Sequence, residues 1–327
     1  MRLPRFAYLP AKSVAEAVQL LAENPEAQLV AGGTDLYPKM KRLQLRPAAL
    51  VGLHGVTELR GIEANGAVSV GAGTKLHELA SAPEILQRFP ALARAASLVA
   101  SPQIRNAGTV GGNLCVDTRC NYYDLSYDRR CAHGSCMKAE GDICALAPGG
   151  DRCWAVSSTD LAPVGHVLGA SVRLVGPRGE RTLPIAALYT MDDGIDYLQK
   201  QRDEVLTRLD LPASDGLRAT YVKFRRRGAI DFPLLGVAAA VRTDESGVCT
   251  DARIVLGAVA TAPLPAPQAA AALVGSMLGD EAIAEAAALA TALAKPMDAL
   301  DLPPSYRKRM IATHVARAFR ELRDAAP

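Results

Sequence analysis

Strand and helix signals alternate from the N-terminus to Ala100, which predicts a mixed fold of the α/β or α+β class. Three observations carry that expectation: a helix start with one apolar face behind it, short apolar runs that stop at glycines, and a return of helical spacing. Ser13-Val14-Ala15-Glu16 has the spacing of a capping box, with Ser13 at the N-cap and Glu16 reaching back to it. Val14, Ala17, Val18 and Leu21 then recur at i, i+3, i+4 and i+7, one face of a helix. Gln28-Leu29-Val30-Ala31 reads as a strand that breaks at Gly32-Gly33. Ala67-Val68-Ser69-Val70-Gly71 reads as another, with a helix from about Thr74. Helical spacing resumes between Pro90 and Ala100.

From Cys115 to Cys153 neither the 3.6 nor the 2 period appears, and glycines and Pro148 punctuate a polar stretch. A structureless loop of that length is improbable in a compact domain unless something ties it down. Six of the seven cysteines lie there: Cys115, Cys120, Cys131, Cys136, Cys144 and Cys153. After it, Thr159-Asp160 opens a helix carrying Pro163. Ser171–Val175 and Arg181–Ile185 flank Gly176-Pro177-Arg178-Gly179 as a hairpin. Pro212–Gly216 reads as a linker, and a domain boundary is expected near residue 215. Leu235–Val241 and Ala252–Val259 are apolar strands, and the chain ends in alanine-rich helices, the last with Ile311, Val315, Phe319 and Leu322 on one side.

The chain has 327 residues and a formal net charge of +3, long enough for more than one core and too evenly charged for a nucleic-acid or membrane-surface protein. The N-terminus lacks the apolar core of an export signal, and the stretch Ala262–Gly279 falls short of a membrane span. A cytoplasmic protein is expected. An odd total of seven cysteines, six of them crowded into one segment, then points to metal or redox chemistry rather than disulfides.

Two glycine turns are candidate phosphate cradles, because glycine lets backbone N–H groups converge without a Cβ in the way. One is Leu29-Val30-Ala31-Gly32-Gly33-Thr34-Asp35-Leu36; the other is Gly108-Thr109-Val110-Gly111-Gly112-Asn113. Neither matches a Rossmann or P-loop fingerprint, and a structural role is the competing reading for each. Four thiolates could hold zinc or an iron–sulfur cluster, or stay as redox thiols. The five-residue steps Cys115/Cys120 and Cys131/Cys136 favour a cluster over zinc, while spacing leaves open which four cysteines act. In the basic run Tyr221–Arg227, Lys223 either lies on a solvated edge or faces an anionic ring; Asp160 is either an N-cap or a hydroxyl-binding carboxylate.

Leu29–Leu36, Ser101–Asn113, Ser158-Thr159-Asp160-Leu161-Ala162-Pro163 and Tyr221–Asp231, in that order, resemble the FAD-binding subunits of the molybdenum hydroxylase (xanthine dehydrogenase) family, nearly end to end. Most of that family passes from the second glycine turn to the Ser-Asp-Leu-x-Pro segment in a few residues. Here the cysteine insert intervenes. Asp117–Tyr123, Cys136-Met137-Lys138, Gly141–Cys144 and Arg152-Cys153 are similar to the β subunits of 4-hydroxybenzoyl-CoA reductases, whose insert carries a [4Fe–4S] cluster.

The resemblance implies an α+β fold: a two-lobed FAD-binding domain of the molybdopterin dehydrogenase type (1–215, lobes about 1–60 and 61–215) with an iron–sulfur insert at 115–155. A C-terminal domain (216–327) with a three-stranded antiparallel sheet and a helical bundle follows. It further implies that Leu29, Val30, Ala31, Gly32, Gly33, Thr34, Asp35 and Leu36, with Thr109, Gly111, Gly112 and Asn113, bind the FAD pyrophosphate and ribityl chain. Asp160 hydrogen-bonds the cofactor, and Leu206 and Lys223 lie near the flavin ring. Cys120, Cys136, Cys144 and Cys153 are the implied cluster ligands, with Cys115 and Cys131 as spare thiols. No catalytic acid or base is expected. The implied partners are a large molybdenum-cofactor subunit and a small subunit with two [2Fe–2S] clusters, in a dimer of heterotrimers, with reduced ferredoxin as electron donor. The implied reaction turns 4-hydroxybenzoyl-CoA into benzoyl-CoA. Two other readings remain: the FAD subunit of a related molybdenum dehydrogenase with another substrate, and a zinc-stabilised binding module without redox chemistry.

Overall fold

The computed structural model describes residues 2–214 and 216–325. Asp215, at the expected domain boundary, lies outside them. Strands β1 (Ala7–Pro10), β2 (Gln28–Val30) and β3 (Ala49–Gly52) form a parallel sheet in the order β1-β3-β2. Parallel neighbours need crossovers, which helices α1 (Val14–Glu23) and α2 (Leu36–Lys41) provide. Ser13 caps α1 by accepting from the Glu16 N–H, and Ala17, Val18 and Leu21 are buried. Glu16 reaches past the expected box partner and accepts from the Lys12 N–H instead.

Five antiparallel strands follow in the order β4-β5-β8-β6-β7: β4 (Ile62–Asn65), β5 (Ala67–Gly71), β6 (Ser171–Gly176), β7 (Gly179–Pro184) and β8 (Val205–Leu211). The chain between β5 and β6 contributes α3 (Leu76–Ser81), α4 (Pro83–Arg88), α5 (Pro90–Ser97), α6 (Pro102–Ala107), α7 (Val110–Leu114), α8 (Tyr127–Ala132) and α9 (Leu161–Val167). Leu76, Leu79, Leu92, Leu161 and Val164 from these helices pack on Val68, Val70, Val172, Leu174 and Leu209 of the sheet as the main core.

The last third forms β9 (Arg218–Phe224), β10 (Leu235–Thr243), β11 (Cys249–Gly257) and β12 (Leu264–Pro265), then α10 (Pro267–Ala271), α11 (Asp280–Leu293) and α12 (Pro304–Asp324). The sheet is antiparallel in the order β12-β11-β10-β9, so it has four strands where three were expected. The fourth is two residues long and ends in proline, too short to show any period. Both faces of β9 and β10 are covered: Tyr221, Ala238 and Ala240 join the main core, while Val222, Val237, Ala239 and Val241 pack on the helices with Ile311, Val315, Phe319 and Leu322. A strand buried on both sides reads as one continuous apolar run.

Candidate flavin and cysteine sites

Of the two glycine segments, only the first is a loop. Leu29 and Val30 end β2, and Gly32 through Asp35 run into α2. Gly33 has φ +67, and a Cβ on Gly32 would sit 2.2 Å from the Ala107 carbonyl oxygen. Only glycine accommodates both. The N–H groups of Gly32, Gly33, Thr34 and Asp35 meet no acceptor among the described residues. Such a run of free donors suits phosphate oxygens.

The second segment, expected as a turn, is the short helix α7. Thr109 caps it by accepting from the Gly112 N–H at 3.1 Å, while the Val110 and Gly111 N–H groups donate to the carbonyls of Thr74 and Ala72. These donors are committed to the fold, so the free ones lie in the β2–α2 loop. Asn113 links α7 to α9: its Oδ1 accepts from Thr159 Oγ1 at 2.9 Å and from the Leu161 N–H at 3.1 Å. Ser158 Oγ, beside it, is buried without a partner among the described residues.

Asp160 begins α9 but does not cap it; Thr159 Oγ1 accepts from the Ala162 N–H instead. The Asp160 carboxylate accepts from Tyr221 Oη at 2.8 Å and from Lys223 Nζ at 2.9 Å, both on β9. Lys223 also donates to the Leu98 carbonyl, and its side chain is 1% exposed. Desolvation holds the Asp160 carboxyl above its usual range, although the Lys223 ammonium and two hydrogen bonds oppose this. Segments 29–36, 107–113, 158–161 and 221–223 thus form one continuous line of contacts. Leu206 stands on β8 in the main core, opposite Leu174 in register.

The six insert cysteines divide. Cys120, Cys136, Cys144 and Cys153 are buried, whereas Cys115 is half-buried and Cys131 is exposed on α8. Cys120, Cys136 and Cys153 share a small core with Tyr123 and Ala155. Cys144 lies near enough to Cys153 for a charge on one to raise the pKa of the other. Burial pushes the Cys120 thiol up to about 11, against N–H groups of Tyr123 and Tyr122 that favour the thiolate. The Ala155 N–H approaches Cys153 Sγ at 3.4 Å. Among the described residues no three His, Cys, Asp or Glu side chains converge on one point as a single metal ion requires. A cubane distributes its ligands over four separate irons, and so accepts a wider set.

An ionic cluster that sequence reasoning missed joins the two sites. Asp117 accepts from Lys39 of α2 and, at 2.8 Å, from Lys138 of the insert. Arg119 pairs with Asp35 at 3.3 Å and with Asp124 at 3.2 Å. Burial alone would raise the Asp117 carboxyl, but the Lys138 and Lys39 ammonium groups and their hydrogen bonds hold it below its usual range. Lys39 sits two residues from Lys41 in the sequence and reads as a surface cation; no local pattern marks it.

Comparison with known proteins agrees with this geometry. Residues 4–214 match the model of the FAD binding domain in molybdopterin dehydrogenase, and residues 219–322 match the CO dehydrogenase flavoprotein C-terminal domain. The carbon monoxide dehydrogenase medium chain of Hydrogenophaga pseudoflava is 32% identical over 97% of this chain and 96% of its own. A putative xanthine dehydrogenase FAD-binding subunit of Escherichia coli is 30% identical over 79% of this chain and 75% of its own. The solved Hydrogenophaga pseudoflava carbon monoxide dehydrogenase superposes with a TM-score of 0.81 at 31% identity, covering 99% of each chain. Quinoline 2-oxidoreductase from Pseudomonas putida superposes with a TM-score of 0.80 at 26% identity, covering 100% of this chain and 99% of that one. The chain therefore belongs to the FAD-binding medium subunits of the molybdenum hydroxylase family, of the carbon monoxide dehydrogenase and xanthine dehydrogenase type.

Proposed function

We propose that this medium subunit also carries a [4Fe–4S] cluster on Cys120, Cys136, Cys144 and Cys153, and that it serves a molybdenum-dependent 4-hydroxybenzoyl-CoA reductase. The observation that supports it most is the division of the insert: the four cysteines picked out by resemblance are the four that are buried, with sulfur-directed N–H groups at two of them. In this reading residues 1–215 bind FAD, and 216–327 form the C-terminal unit. The partners are a large molybdenum-cofactor subunit and a small [2Fe–2S] subunit in a dimer of heterotrimers, with reduced ferredoxin as donor. A cytoplasmic setting fits the cysteines, none of the seven of which pairs in a disulfide, and no helix among the described residues is long and apolar enough to cross a membrane.

FAD, when bound, exchanges electrons singly or in pairs; the cluster exchanges them singly. The chain's own residues do the rest. The free N–H groups of Gly32 to Asp35 receive the pyrophosphate, Ser158 Oγ offers a donor to a cofactor oxygen, and Asp160 with Tyr221 fixes the Lys223 ammonium. A fixed cation there favours negative charge on the ring.

The test is the purified complex supplied with reduced ferredoxin and 4-hydroxybenzoyl-CoA. Benzoyl-CoA formation supports the reductase. Absence of turnover, together with oxidation of a different substrate, selects the related dehydrogenase. That second reading draws support from the range of substrates in the relatives' names, which include 6-hydroxypseudooxynicotine and nicotinate. Serine in place of Cys120 is expected to strip the iron, and serine in place of Cys131 to leave it. Zinc bound in place of iron would instead favour a structural centre.

A further inference from the structure

The β2–α2 loop and the cysteine insert are far apart in sequence but held together by buried charge. Lys138 follows Cys136 by two residues, and its ammonium has three acceptors: Asp117 Oδ1 at 2.8 Å, Thr118 Oγ1 at 2.8 Å and the Gly194 carbonyl at 2.7 Å. An ammonium has three N–H bonds, so this one is fully used. On the far side of the same carboxylate sits Lys39 of α2, which also pairs with Asp35 at 3.7 Å. Tyr123, which packs with Cys120, Cys136 and Cys153, has both lysine ammonium groups 5.2 Å from its ring centroid. Gln44 and Arg130 add further bonds between the chain after α2 and the insert: Gln44 donates to the Tyr123 carbonyl, and Arg130 to those of Arg42 and Leu43.

We propose that Lys138, Asp117 and Lys39 form a latch through which the cysteine core of the insert positions the FAD-binding loop, so that cluster occupancy and FAD affinity depend on each other. The proposal rests on the assignment of FAD to residues 29–36 and of a cluster to the four cysteines. Lys138 is carried by the segment that begins at Cys136, so a metal-held Cys136 fixes the Lys138 ammonium. That ammonium fixes Asp117, and Asp117 fixes Lys39 in the last turn of the six-residue α2. Asp35, the residue before α2, is gripped from the other side by Arg119, the neighbour of Cys120. Emptying the cysteine core frees both grips. Lys138 and Asp117 are positioning residues, since neither is required to touch FAD. Coupling of this kind is reciprocal: whatever factor the cluster adds to FAD affinity, FAD adds to cluster retention.

The experiment titrates FAD into the flavin-stripped full chain, with its iron intact and after anaerobic iron chelation, for wild type, Lys138→Met and Asp117→Asn. In wild type, iron removal is expected to weaken FAD binding about tenfold, and FAD to slow iron loss to a similar extent. In both variants FAD still binds, but with the same affinity whether or not iron is present. A merely structural role would lower affinity without abolishing the iron dependence. Arg226→Ala, which breaks the surface pair with Asp301, keeps the wild-type dependence. A wild-type FAD affinity indifferent to iron overturns the latch, as does a full dependence surviving in both variants. A wild-type chain purified with FAD but no iron defeats the cluster assignment instead. The latch is then judged by FAD affinity alone, and equal affinity in Lys138→Met and wild type overturns it.

Discussion

Lys223 and Asp160 are both removed from solvent and pair at 2.9 Å, so loss of either leaves the other buried without its partner. Desolvating a carboxylate and an ammonium costs several kcal/mol apiece, and their attraction repays it only while both are present. Lys223→Met removes the ammonium from the buried Asp160 carboxylate and leaves it the Tyr221 hydroxyl as a donor. It is expected to cost about 3–5 kcal/mol in urea denaturation at neutral pH, and less in acid, where Asp160 takes up a proton. Asp117 behaves differently. Its carboxyl is held below the usual aspartate value, so its contribution is complete above the unfolded value of about 3.9 and is lost as the pH falls through the lower native one. Stability measured against pH should show an acid step below about pH 4 that Asp117→Asn removes. Asp35 is raised by burial despite Lys39 and Arg119, and so acts in the opposite sense: the stability it contributes when protonated fades as the pH climbs above the same reference value.

At the level of elements, the periodic segments were legible and the short ones were not. The apolar stripe of α1, the strand Ala67–Gly71, the hairpin of β6 and β7 and the buried face of α12 all follow from spacing. The five-residue α7 and the six-residue α8 left no such trace: α7 has two glycines in its first turn, and α8 lies inside the polar insert. Their geometry is imposed by Thr109 in one case, and in the other by Arg130, which is buried against three carbonyls. The same limit hid Asp117, Lys39 and Lys138, whose meaning lies entirely in contacts between distant segments. Thr109→Val retains the shape and removes the cap; it should cost about 1 kcal/mol by thermal melting. It should also weaken FAD retention on a desalting column, because α7 carries Asn113 to the Thr159–Leu161 turn.

Across the whole molecule, two cores share one sheet. Alternate residues of β9 and β10 face the flavin-side core and the helices α10 to α12, so the strand that carries Tyr221 and Lys223 cannot shift register without exposing apolar side chains on one side or the other. Arg307 of α12 is fully buried, donates to the carbonyls of Leu234, Met297 and Ala258, and is pushed down to about 10 by desolvation. It fixes the segment leading into β10 and, through it, the far edge of the Lys223 strand. Against that frame the insert is an irregular body, held by its small cysteine core and by the charges that join it to α2. Two redox groups in one chain are the central claim, and one measurement reaches it: iron, acid-labile sulfide, zinc and flavin determined on the anaerobically purified protein. The expected result is one FAD with about four iron and four sulfide per chain, the content of a single cubane. A chain that carries FAD with zinc, or with no metal at all, would contradict it.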